Sequence, residues 1–324
     1  MKTIRFTALS AIAISLLMIA TAEASVIRPQ DKGGQDYVPT GKGWGVPAVG
    51  NPGQKGGKGG GGGGGGHTST SNGINYHGGP VMLGTTNVYY IWYGNWDGNT
   101  AVNILDNLAR NLGGSPYFNI NTTYYDGNSN KVSNNTFGTQ DYFVGGSYNT
   151  ALSDSDVLNI VKNAMGSTSS SGSSPLPQDP NGVYVVLTSK DVNETSGFCT
   201  QYCGWHTHAS ILGLDTKFAF VGDAARCPSA CSAQTASSPN GNIGADAMAS
   251  VIAHETAEMV SDPDLNAWYD RRGYENADKC AWKFGTTYKT AGGSYANMNL
   301  GGLDYLIQQN WENANGGNCV LSYP

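Results

Sequence analysis

Apolar residues fall into three regimes along the chain. A continuous run from Phe6 to Ala20 follows Lys2 and Arg5, residues 25–76 have almost no apolar periodicity, and from about His77 onward apolar positions recur at strand and helix spacings. In the third regime the β-branched and aromatic runs over 85–93, 182–189 and 217–223 predict buried strands. "AVNILDNLARNLGG" (101–114) sets Val102, Leu105, Leu108 and Leu112 at helical spacing and ends on glycine stop signals. "SDSDVLNIVKNAM" (153–165) opens with capping residues, and "ADAMASVIAHETAEMV" (245–260) predicts a third helix. Strands alternating with helices predict an α/β fold, with α+β as the alternative, in which helices flank a sheet. Residues 77–324 are enough for one large domain.

The first regime, closing on Ala22-Glu23-Ala24, predicts a secretory signal peptide over residues 1–24. It is shorter than the roughly 20 apolar residues a membrane span needs, and no later stretch approaches that length, so a secreted protein without a membrane span is expected. The second regime contains eight consecutive glycines, Gly59 to Gly66. Burial cannot offset the ordering entropy of such a segment, so residues 25–76 are expected to be a flexible linker. A phosphate-binding loop would need a preceding strand, a following helix and a Lys-Ser/Thr pair, which this stretch lacks.

Removing residues 1–24 takes away Lys2, Arg5 and Glu23 and leaves 16 basic against 23 acidic residues, a balance that argues against a nucleic-acid partner. The six cysteines all lie in the C-terminal half, and an even count in an exported chain favours disulfides. Local closure of Cys199 with Cys203 and of Cys227 with Cys231, plus a longer Cys280–Cys319 staple, is the expected pairing; a four-thiolate zinc site is the alternative. The N-x-S/T triplets at Asn121, Asn134 and Asn193 are candidate glycosylation sites.

The chemistry concentrates in "SVIAHETAEMVSDPD" (250–264). Positions four apart share a helix face, so His254 and Glu258 point the same way beside the apolar stripe of Ala247 and Val251. An ionised carboxylate is costly to bury without a partner, and a bound cation is one of the few full compensations. Glu255, about 100° round the helix, flanks such a cation and is the candidate general base acting on a metal-bound water. The motif is H-E-x-x-E, with Glu258 where a zinc-peptidase helix carries its second histidine. Glu275 in "YENADKC" is the candidate third ligand, with Asp278 one turn later as an acceptor for His254 and His206 in "CGWHTHAS" as an alternate ligand reaching in from a loop. One histidine with two carboxylates neutralises a divalent cation; zinc is expected first, with manganese or calcium favoured by the hard oxygens. Asp262 and Asp264 are candidates for a separate calcium site. The competing reading is an ordinary His254–Glu258 charge pair. Trp92 and Trp96 raise a carbohydrate-binding alternative, against a role in the core.

"YHGGPVMLGTTNVYYIWYGNW", "GFCTQYCGWHTHAS", "FAFVGDAARCPSACSAQ", "NGNIGADAMASVIAHETAEMVSDPDLNAWYD" and the terminal "NCVLSY" resemble the EXORDIUM, or phosphate-induced, protein family over about residues 76–322. The resemblance implies an exported, apoplastic or cell-wall-associated protein connected with cell expansion and growth or nutrient responses. It does not imply a settled activity. The H-E-x-x-E helix, with its following Asp-Pro and downstream E-x-x-D-x-C, also looks like that of zincin-like microbial relatives, which implies a zincin-like mixed sheet and peptide hydrolysis. The expected partners are extracellular polypeptides or cell-wall components.

Overall fold

The computed structural model describes residues 37–39 and 73–324, position 272 excepted. The predicted signal peptide, and the linker apart from 37–39 and 73–76, lie outside the described residues. The chain lays down β1 (Tyr37–Pro39), β2 (Asn75–Tyr76), β3 (Thr86–Tyr93), α1 (Ala101–Asn111), β4 (Thr136–Phe143), β5 (Ala151–Leu152) and α2 (Asp154–Gly166). It continues through β6 (Gly182–Thr188), β7 (Asn193–Glu194), β8 (Tyr202–Ile211), β9 (Leu214–Gly222), α3 (Pro228–Cys231), α4 (Ile243–Ser261) and β10 (Trp268–Tyr269). Short two-stranded ribbons and 3₁₀ turns complete the C-terminal part. No helix among the described residues is long and apolar enough to cross a membrane.

One mixed sheet of six strands, ordered β1-β8-β9-β6-β3-β4, organises the domain. Strands β4, β3, β6 and β9 run parallel, and β8 and β1 add antiparallel on the β9 side. The three expected strands are its centre: β3 and β6 are buried almost throughout, as strands covered on both faces must be. β8 and β9 form a hairpin through Leu212 and Gly213, both at positive φ (52° and 85°), the backbone a two-residue primed turn demands. β4 escapes the sequence pattern because it is an edge strand interrupted by Gly138, where a Cβ would sit 2.9 Å from that of Ala109 on α1.

Helices flank this sheet. α2 begins with a full capping box, in which Ser153 Oγ accepts from the Asp156 amide while the Asp156 carboxylate accepts from the Ser153 amide at 2.7 Å. α4 starts at Asn242, whose side chain accepts from the Ala245 amide, and packs against α1, β8 and β9. It is buried on nearly every side, so His254, Glu255 and Glu258 lie wholly inside the protein and not on a half-exposed face.

The disulfides are Cys199–Cys227, Cys203–Cys231 and Cys280–Cys319, so only the long-range staple matches, and no cysteine is free to form a thiolate zinc site. Cys227 and Cys231 bracket one helical turn and present both sulfurs on the same side, where Cys199 and Cys203 meet them as two rungs instead of each pair closing locally. Asn121 is fully buried, with its Oδ1 accepting from Asn310 at 3.0 Å, which removes it as a glycan acceptor. Trp92 and Trp96 are buried and pack edge to face at 5.0 Å, filling the core and offering no face to a sugar.

Candidate metal centre

His206 lies in the middle of β8, not in a loop. Alternation along the strand sends Trp205 and Thr207 to one side and Gly204 and His206 to the other, toward α4. The direction is fixed at Gly204, where a Cβ would come within 2.5 Å of Val251 Cγ1 and 3.0 Å of Glu255 Oε1. A glycine there lets strand and helix approach until the Glu255 carboxylate rests against the β8 backbone.

The remaining acids arrive on the segment after β10. Asn276 ties it to the C-terminal turn of α4, its amide donating to Ser261 Oγ at 3.0 Å and to the Ala257 carbonyl at 3.3 Å. A 3₁₀ turn at Asp278–Cys280, pinned by the Cys280–Cys319 disulfide, then presents Asp278. The Glu275 amide donates to Asp278 Oδ2 at 3.2 Å, and the Asp278 amide donates to Glu258 Oε1 at 3.0 Å.

Glu258 is the centre of the arrangement. Its Oε1 lies 3.0 Å from His254 Nε2, which in turn is 3.5 Å from Asp278 Oδ1. Its Oε2 lies 3.7 Å from His206 Nε2, which is 3.1 Å from Glu275 Oε2. Two three-residue groups of ligand chemistry, His254/Glu258/Asp278 and His206/Glu258/Glu275, therefore share one carboxylate, with the donor atoms of each group within 4.8 Å of one another. Glu258 Oε2 accepts no hydrogen bond among the described residues. His206, His254, Glu255 and Glu258 are 0 % exposed, Glu275 1 % and Asp278 5 %, so every donor is withdrawn from bulk water.

The electrostatics follow from that crowding. Burial pulls the His254 imidazole down, but Glu258, Asp278 and Glu255 together outweigh it and hold the ring well above the usual histidine range. Burial and the neighbouring Glu258 charge push Asp278 up to about 7, against the opposing pull of His254. His254 Nδ1 makes a short contact with Gln308 Nε2, which also reaches the Ala277 carbonyl at 3.3 Å. A cation-bound or doubly protonated His254 carries Nδ1–H, and either state needs the Gln308 amide turned so that its oxygen accepts that hydrogen.

Residues 74–320 match the family profile described as "Phosphate-induced protein 1 conserved region". The chain belongs to this phosphate-induced protein family. Protein EXORDIUM-like 3 from Arabidopsis thaliana is 32 % identical over 295 residues, which cover 77 % of this chain and 82 % of that protein. Protein EXORDIUM-like 5 from the same plant is 31 % identical over 284 residues, covering 74 % and 75 %. No solved structure matches the chain.

Within this chain, His254 and Glu258 are neighbours as the helix spacing requires, whereas Glu275 pairs with His206 and Asp278 takes the place beside His254. Gln308 is a contributor that sequence reasoning missed; it follows a short apolar run and carries no motif. Asp262 and Asp264 engage different partners. Asp262 Oδ1 accepts from the Asn266 and Ala267 amides, at 2.6 and 2.5 Å, and caps the turn after α4. Asp264 instead meets Lys217 at 3.0 Å, in a group with His208 and Asp215. Lys217 also lies 2.6 Å from Asp215 and supplies the positive charge that a cation would.

Proposed function

We propose that this protein is a secreted, cell-wall or extracellular member of its family built around a divalent-cation centre, with zinc as the first candidate and manganese or calcium the harder-ligand alternatives. Glu258 is the shared ligand, His254 and His206 supply the nitrogens, and Glu275 and Asp278 complete the oxygen set. The observation that carries this reading is Glu258 itself: a fully buried carboxylate with a histidine facing each oxygen and an Oε2 that accepts no hydrogen bond among the described residues. The donor set fits a borderline-to-hard cation, since two imidazoles and three carboxylates suit zinc or manganese. When bound, the cation would polarise a carbonyl and acidify a water. Glu255, held against β8 beside these residues, would serve as the general base there, and peptide hydrolysis is the proposed reaction.

Export is supported by the sequence of residues 1–24 and by the state of the cysteines, all six of which are in disulfides. A second reading keeps the cation and drops the catalysis: with every donor 5 % exposed or less, the centre also suits a cation that only braces α4 against the β10 segment. Extracellular polypeptides or wall components are the proposed partners.

Metal analysis of purified protein separates these readings. Wild type is expected to carry bound cation, and Glu258→Ala and His254→Ala to lose it; equal, near-zero content in all three defeats the centre. Glu255→Gln is expected to retain metal and lose hydrolysis of a polypeptide panel. Wild type that holds metal yet cleaves nothing leaves the bracing role.

A further inference from the structure

The strand β1 lies inside the segment whose composition predicts a linker, and it pairs antiparallel with the outer edge of β8. Its register is Tyr37 opposite Trp205, Val38 opposite Gly204 and, after a bulge, Pro39 opposite Tyr202. That places the occupant's backbone across from Gly204, where a Cβ would meet Val251 and Glu255 of α4. β1 also packs beside α4. His206 follows Trp205, the residue opposite Tyr37, so a strand in this register that reaches one residue further in the N-terminal direction runs alongside a proposed ligand.

We propose that the outer edge of β8 is a docking edge for an extended polypeptide, delivered by strand addition to the metal centre, and that β1 is the chain's own displaceable occupant of it. The docking itself needs only the β8 edge; its link to catalysis rests on the metal-centre reading. A sheet edge offers a row of backbone donors and acceptors that recognises an extended chain irrespective of most side chains. The occupant is weak by construction: three residues, one register break and a terminal proline, which has no amide to give. A ladder this short holds few hydrogen bonds, each of small net worth, and a competing strand of similar length matches it. Covalent attachment gives β1 the advantage, because linked strands compete at effective concentrations that reach roughly millimolar.

The test uses the full chain, the Tyr37→Pro/Val38→Pro double variant and a labelled peptide of the chain's own residues 33–42. Successive amides in a strand alternate toward and away from the partner, so the double change removes whichever one β8 accepts. Amide exchange at Tyr202–Trp205 is expected to quicken in the variant, and the peptide to bind it at least tenfold tighter than it binds wild type. A peptide carrying the same two prolines is expected not to bind. Unchanged exchange, equal affinity for both proteins, or an opened edge that ignores the peptide would each overturn the proposal. Metal content of the same preparations keeps the readings apart: peptide binding without bound metal removes the centre and keeps the docking edge, and bound metal without peptide binding does the reverse.

Discussion

His206 on β8 and Glu275 on the segment after β10 are 69 residues apart in sequence, yet His206 Nε2 lies 3.1 Å from Glu275 Oε2. This contact closes the candidate centre from the sheet side, opposite His254 on α4. His206→Ala is therefore expected to lower metal affinity at least as far as a change in supporting residues does, about 10–100-fold, and His206→Ala/His254→Ala to abolish binding. Competition titration with a chelating dye reads this directly. Retention of wild-type affinity in His206→Ala would restrict the centre to the His254 side.

Gln308 supplies a milder test, because it touches the His254 ring at Nδ1 and is not itself a candidate ligand. Gln308→Ala removes the partner of His254 Nδ1 and is expected to cost about 10–100-fold in metal affinity, whereas Gln308→Glu, which keeps an acceptor for Nδ1–H, is expected to restore most of it. Folding, followed by thermal unfolding in chelator, is expected to move far less than affinity does.

How much of this was readable beforehand depended on the range of the interaction. The His254–Glu258 pair needs only the helical period, and three central strands were visible as unbroken apolar runs. β8 was hidden because Gly204, His206 and His208 look like loop residues; the period-two alternation of Cys203, Trp205, Thr207, Ala209 and Ile211 between them was the signal that could have revealed it. The disulfide rungs were unreadable for a related reason. Two C-x-x-x-C pairs allow local or crossed closure equally well, and only the packing of the α3 turn against the start of β8 decides between them. Gln308 has no sequence signature, because its role arises from where the C-terminal segment crosses α4.

The carboxyl pair on α1 and β4 gives a pH dependence away from the centre. Asp106 is pushed up to about 7, first by burial and then by the Asp141 charge, while Arg110, 3.8 Å away, works in the opposite direction. Because the folded value is raised, folding takes up a proton. The stabilising contribution is complete below about pH 4 and is lost as pH rises through about 7. Asp106→Asn cannot ionise, so it is expected to be more stable than wild type at pH 8 by about 1–2 kcal/mol, after allowance for solvent screening. The difference should shrink toward zero at pH 4. Urea unfolding at both pH values checks it, and a variant less stable at pH 8 contradicts the assignment.

At Gly204 strand and helix constrain each other tightly. A Cβ there would stand 2.5 Å from Val251 Cγ1, 2.9 Å from the Phe220 carbonyl oxygen and 3.0 Å from Glu255 Oε1. Val251 could turn aside, but the Phe220 oxygen belongs to the β9 backbone that pairs with β8 and has nowhere to go. The added methyl can clear that oxygen only by tilting toward α4, which then shifts off the sheet and carries Glu255 and the candidate ligands His254 and Glu258 with it. Gly204→Ala is expected to cost about 1–3 kcal/mol by overpacking, or roughly 2–10 °C in Tm for a domain of this size. It is also expected to weaken metal binding, although residue 204 carries no ligand atom. Gly213→Ala is the control: it lies on the same hairpin at positive φ, with open space around its Cβ position. It should lower Tm through backbone strain alone and leave metal affinity unchanged. If both variants lose stability and both keep full affinity, the closeness of α4 to β8 matters to the fold and not to the centre.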